Sequence, residues 1–179
     1  MIGAEASRGL DRQPVLNGEL IRVRPVDERD HSALWAIASD PLLWEQHPSK
    51  DRAQPAGFQR WFDDAISSGG ALVVIDRADE QVIGTSRFDG FDPVRREVEI
   101  GWTFLARSHW GGIYNAELKR LMLQHAFGSV DSVVFRVHAL NHRSQHAVQK
   151  LGAIYVRAEA DPLGRGQNHV FRLDRLPPP

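Results

Sequence analysis

A chain of 179 residues, 42% hydrophobic and 25% charged, has room for one domain with a core of its own. Its formal net charge of −1 gives no global field for nucleic acid, and no basic patch stands out beyond Arg95-Arg96, too short to track phosphates. The absence of cysteine excludes disulfides, thiolate nucleophiles and cysteine-bound zinc, and no apolar run approaches the ~20 residues of a membrane span.

The opening residues lack both the apolar centre of a secretory signal and the basic amphipathic pattern of a transit peptide. They are expected to form a disordered leader over 1–18, before a domain at 19–175 and a tail at 176–179; the expected location is the cytoplasm. "ELIRVRPVD" reads as a strand that carries Arg22 and Arg24 and stops at Pro25. Asp27 can cap the helix that follows, "ERDHSALWAIASD", with Ala33, Leu34, Ile37 and Ala38 at helical spacing and Asp40-Pro41 as its end. A second helix is expected over "AGFQRWFDDAISS", with Phe58, Trp61, Phe62, Ala65 and Ile66 on one side and Gly69-Gly70 as terminator.

Three strands follow, "ALVVID", "QVIGTSRFD" and "REVEIGWTFL", whose short turn-rich links make an antiparallel meander. Then come the helix opened by "HWGGIYN", the strand "SVVFRVHAL", the helix "HRSQHAVQKLG" ended by Gly152, and the closing strands "AIYVRAEA" and "QNHVFRLD". The order β-α-α-β-β-β-α-β-α-β-β implies an α+β chain on a mixed sheet.

Two helix openings carry the functional question. From Tyr114, Leu118, Leu121, Met122 and Ala126 recur as the buried stripe of an amphipathic helix, with Glu117, Arg120 and Gln124 facing away. Its first turn presents unpaired N–H groups and the positive end of the helix dipole, and Gly111 and Gly112 just ahead leave the backbone open to an anion. The same two glycines serve equally as a plain turn. In the second opening Asn141 is placed as an N-cap, and Ser144 lies on one face with Ala147, Val148 and Leu151. A hydroxyl there bonds either the preceding backbone turn or a ligand.

Together "W-G-G-I-Y-N-A-E" and "N-x-x-S-x-x-A-x-x-K-L-G-A" resemble the acetyl-coenzyme A site of the GNAT N-acetyltransferases, nearest the RimJ/RimL-like branch, and the element order from about Leu20 to Asp174 matches that fold. The resemblance implies a pyrophosphate held by backbone N–H groups of Trp110, Gly111, Gly112, Ile113, Tyr114 and Asn115. It implies a pantetheine arm against Phe104 and Leu105 in a splay between two strands, Asn141 bonding the arm from the far side, and Ser144 near the thioester sulfur. Ile113 and Asn115 stand where the family usually has glycine and glycine or alanine, which bears on how closely the phosphate approaches.

Acetylation of an amine benefits from a base, because alkylamines are protonated at neutral pH. On the strand "REVEIGWTF", strict alternation puts Glu97, Glu99, Gly101 and Thr103 on one face and Val98, Ile100, Trp102 and Phe104 on the other. The polar face is either solvated or lines a cleft where burial raises a carboxyl pKa. The resemblance favours Glu99 as the base and Ser144 as the proton donor to the leaving thiolate, with backbone N–H groups at Phe104–Leu105 polarising the carbonyl. His142 and His146 have the spacing of a metal pair but no third ligand, so no metal is expected. His125 reads as packed, and Trp35, Trp44 and Trp61 as core, with Trp44 and His47 near the acceptor. The expected reaction is acetyl transfer from acetyl-CoA to a primary amine, on a protein N-terminus or a small molecule, in a monomer or homodimer. The alternatives are an acyl-CoA-binding module without transfer, or a transferase for a longer acyl donor.

Overall fold

The computed structural model describes residues 9–175. Its elements are β1 (Leu16–Asn17), β2 (Ile21–Pro25), α1 (His31–Ala38), α2 (Pro55–Ser67), β3 (Ala71–Asp76), β4 (Val82–Asp92), β5 (Glu97–Leu105), α3 (Ile113–Ala126), β6 (Ser132–His138), α4 (His142–Lys150), β7 (Ile154–Ala160) and β8 (Gln167–Asp174). The expected order is present, with β1 as an addition. The segment read as a disordered leader is ordered from residue 9: Leu10 is buried, β1 pairs with β2, and the Asp11 carbonyl bonds His125 Nε2 at 2.7 Å. Residues 1–8 and the tail at 176–179 lie outside the described residues.

The strands form one sheet in the order β1-β2-β3-β4-β5-β6-β8-β7, antiparallel except where β5 meets β6. Strand β3 is buried along its whole length, which explains its unbroken apolar run: Leu72 and Val74 join one core cluster while Val73 and Ile75 join the other. The first cluster packs Leu118, Met122 and Ala126 of α3 and Val148 of α4. The second packs Leu34 and Ala38 of α1 against Phe58, Trp61, Phe62 and Ala65 of α2. A fully buried side chain such as Phe58 or Leu118 contributes roughly 1.5–3 kcal/mol, so the sheet is held from both faces.

Two features of this frame position the site. The parallel pairing of β5 and β6 runs from Glu97↔Ser132 only to Glu99↔Val134, although β5 continues to Leu105 and β6 to His138. Past Glu99 the two strands splay. Second, the β4–β5 register shifts between Arg87↔Gly101 and Thr85↔Phe104, and Trp102 takes φ 52°. This is a bulge, which adds a residue and reverses the facing of everything beyond it. The expected strict alternation is therefore wrong past Gly101. Val98 and Ile100 face the α3 side together with Leu105, whereas Phe104 packs with α1 and α2 and Thr103 turns toward Lys119 of α3.

Helix α3 also departs from expectation at one polar position. Glu117 is buried, and its carboxylate accepts the backbone N–H groups of Glu19, Leu20 and Ile21 at 2.8, 2.8 and 2.9 Å. It ties the start of β2 to α3, because amides entering a strand need an acceptor when no neighbouring strand supplies one.

Candidate active site

The first helix opening sits beside the end of β5. A short 3-10 turn, Arg107–His109, leads into Trp110 and the two glycines, and no side chain caps α3. The first bond of the helix runs from Ala116 N–H to the Gly112 carbonyl, so the amides just ahead of it are free to face a ligand. Gly111 has φ 88°, and a Cβ built at Gly111 or Gly112 would meet nothing within 4 Å. The glycines therefore make no room for the protein itself. The open space in front of an uncapped helix end fits an anion such as a pyrophosphate. Tyr114 anchors the turn, donating its hydroxyl to Asp76 at 3.0 Å with the His109 ring edge-on at 4.7 Å.

Trp110 bridges the loop and the splay. Its indole N–H donates to the Leu105 carbonyl at 2.8 Å, and the Arg143 guanidinium lies 3.9 Å from its ring centroid. Arg143 also reaches the Leu43 carbonyl at 3.3 Å, while its backbone N–H donates to Gln46 at 3.1 Å. Loop, α4 and the α1–α2 connection thus meet at one edge of the opening. Phe104 and Leu105 belong to the two core clusters by their side chains, so only their backbone faces the splay. Across it, Asn141 is buried and caps α4, its Oδ1 accepting Ser144 N–H at 3.1 Å. The Ser144 hydroxyl, half-buried, has no partner in this helix turn or elsewhere among the described residues.

Glu99 lies where β5 and β6 part. It is buried, on the face opposite Val98 and Ile100, and its Oε1 sits 3.4 Å from where a Gly101 Cβ would be. Arg136 of β6 pairs with it and also with Glu159 at 2.5 Å. Burial pushes the Glu99 carboxyl above its ordinary range, and Arg136 opposes this without cancelling it. Glu97, by contrast, is partly exposed and receives Ser132 Oγ at 3.3 Å, so the two carboxylates have separate surroundings.

The connection between α1 and α2 closes this face. Trp44 is buried, edge-on to Phe104 at 5.3 Å and to His47 at 5.4 Å. His47 Nδ1 accepts Ser49 N–H at 3.0 Å; burial first, and then Arg52 and Arg165, depress its pKa to about 3, so it is a neutral acceptor. Arg165, from the β7–β8 link, bonds Ser49 Oγ and pairs with Asp161 at 2.7 Å. Among the described residues no group of three or more His, Cys, Asp or Glu side chains is arranged to hold a metal, and no helix is long and apolar enough to cross a membrane.

A mixed sheet splayed between two strands, with an uncapped glycine-led helix at one side and a buried carboxylate at the vertex, is the architecture of an acyltransferase. The acetyltransferase (GNAT) domain model matches residues 21–154, and the chain belongs to that family of N-acetyltransferases. Solved structures agree in fold. A GCN5-related N-acetyltransferase from Brucella melitensis superposes with a TM-score of 0.79 at 21% identity, covering 90% of this chain and 79% of that one. A GNAT-family chain from Chromobacterium violaceum gives 0.80 at 20% identity over 97% and 93%, and an acetyltransferase from Bacillus anthracis 0.71 at 15% identity over 90% and 98%. No curated protein matches the sequence.

The sequence reading missed Arg136, Arg143, Arg52, Arg87 and Lys119. A signal was available for Arg136, which stands in the middle of the apolar run "VVFRV", where an unpaired charge is costly.

Proposed function

We propose that the protein transfers the acetyl group of acetyl-CoA to a primary amine by direct attack. The observation that carries this reading is the buried Glu99 carboxyl at the vertex of the β5–β6 splay, beside an uncapped α3. Acetyl-CoA, when bound, supplies the electrophilic thioester. Gly111, Gly112, Ile113, Tyr114 and Asn115 would hold its pyrophosphate through backbone N–H groups, whereas the expected Trp110 N–H is taken by the Arg107 carbonyl at 3.1 Å, and Asn141 and the backbone of Phe104 and Leu105 would line its arm. Glu99 takes the proton of the acceptor ammonium, directly or through water, its raised pKa bringing it nearer the working pH. Backbone N–H groups on the β5 edge left unpaired beyond Glu99 stabilise the developing oxyanion. The unpartnered Ser144 hydroxyl passes a proton to the departing sulfur and regains one from the acylated nitrogen, so that the thiol and the amide both leave neutral.

Glu99→Gln is expected to lower turnover by about 10²–10⁴-fold in a thiol-release assay while coenzyme A binding, measured by calorimetry, stays unchanged. An unaltered rate and pH profile would remove Glu99 from the base role. Tight coenzyme binding with no thiol release to any amine would favour a binding module, and no binding would exclude acetyl-CoA as donor.

A further inference from the structure

On the acceptor side of the cleft one arginine keeps buried donors idle and another has no acid of its own. Arg87, on β4 opposite Gly101, has a side chain only 3% exposed. Its Nη1 reaches Asp64 of α2 at 2.8 Å, its guanidinium lies 4.6 Å from the Trp102 ring centroid, and its Nε and Nη2 are buried without a partner. A buried guanidinium with two idle donor groups is costly in a protein that has no use for them.

Arg52 lies nearby, in the 3-10 turn Lys50–Ala53. Its guanidinium is 5.4 Å from the Trp44 ring centroid, and it has no hydrogen-bond or ion-pair partner among the described residues. Burial first, and then Arg165, depress its pKa to about 10, against the opposing pull of Asp51. The acids around these arginines are engaged: Asp51 with Arg60 at 2.8 Å, Asp64 with Arg87, Asp161 with Arg165, and Asp89 3.8 Å from Arg87.

We propose that the acceptor is an amine that also carries an anionic group, a carboxylate or a phosphate, and that Arg52 receives this group with Arg87 behind it. The ring of Trp44 lies against the Arg52 guanidinium and limits its motion. Such an acceptor gains a charge-assisted, planar contact that a neutral amine lacks. The inference rests on the acyl-transfer reading only for the amine; the anion site stands on the arginine geometry.

Two measurements test it. In the thiol-release assay, matched pairs are compared: β-alanine with its amide, and 2-aminoethyl phosphate with ethanolamine. The anionic member of at least one pair is expected to have a kcat/KM roughly tenfold or more higher, mainly through KM, and Arg52→Gln is expected to bring the ratio close to one. The pair that shows the preference identifies carboxylate or phosphate as the anion. Equal kcat/KM within both pairs would overturn the inference and leave acetyl transfer standing. Independently of activity, inorganic phosphate and sodium acetate are titrated against arginine side-chain N–H resonances. A saturable shift at the signal lost in Arg52→Gln supports the site even if no amine is acetylated, in which case only the transfer reading fails. No saturable shift with either anion overturns the inference whatever the rates.

Discussion

A carboxylate that serves as a base must be free to accept a proton, and Glu99 is held by two opposing forces. Burial favours its neutral form; the Arg136 guanidinium favours the charged one, and burial is the stronger. Arg136 is itself divided between Glu99 and Glu159, which lessens its hold on either. Removing the guanidinium leaves desolvation unopposed, so Arg136→Met is expected to move the acid limb of the kcat/KM profile to higher pH than in the wild type. The comparison of the two profiles over the weakly acidic range is the measurement. A limb that moves down, or stays in place, would mean that Arg136 does not set the charge state of Glu99. Trp44 and Trp102 act at the same scale by another route: each covers an arginine face, at 5.4 and 4.6 Å, and so fixes a cation that an open surface would leave mobile.

At the scale of the element, the bulge in β5 is the part that periodicity misread. Alternation reports which residues are apolar, whereas a bulge arises from pairing between two strands, and nothing in "EVEIGWTFL" marks Trp102 for a positive φ. The structure shows what supports it. Lys119 of α3 donates to Thr103 Oγ1 at 2.6 Å and Ser86 Oγ at 3.4 Å, the two hydroxyls bond each other at 2.8 Å, and Ser86 Oγ lies 3.4 Å from the Gly101 carbonyl. Burial lowers the Lys119 pKa to about 7. An unfolded lysine remains protonated up to its ordinary value near 10.4, so between about pH 7 and that value unfolding takes up a proton and stability rises with pH. Below pH 7 both states are protonated and this slope vanishes. Lys119→Met is expected to flatten the dependence in that window and to raise stability at pH 7 by about 1–3 kcal/mol, the relief of charge burial exceeding the lost hydrogen bonds. Urea unfolding at several pH values reads both effects; a variant less stable at pH 7, with the slope intact, would show that the ammonium is not desolvated in the fold.

Across the whole molecule, the element order and the glycine-led opening of α3 were legible because each is local. Capping residues, helical stripes and glycine terminators act within a few neighbours, and the uncapped α3 follows directly from "HWGGIYN". The arginines of the acceptor side were not legible, since Arg52, Arg87, Arg136 and Arg165 come from four separate segments and find their neighbours only when the sheet has closed. Even so, the sequence left open whether Gly111 and Gly112 are a turn or an anion site, and the structure turns that choice into an experiment. Gly111 has the left-handed φ of 88°, so Gly111→Ala strains the loop in either case; Gly112 does not lie in that region, and neither Cβ meets protein within 4 Å. Gly112→Ala is therefore read by its response to coenzyme A, measured from its own ligand-free melting temperature. The rise in melting temperature on adding coenzyme A follows the ratio of ligand concentration to Kd, and a methyl group in the phosphate path is expected to reduce it clearly. If the pair were only a turn, substitution would register only as a loss of stability, and the coenzyme-induced rise of Gly112→Ala would equal that of the wild type.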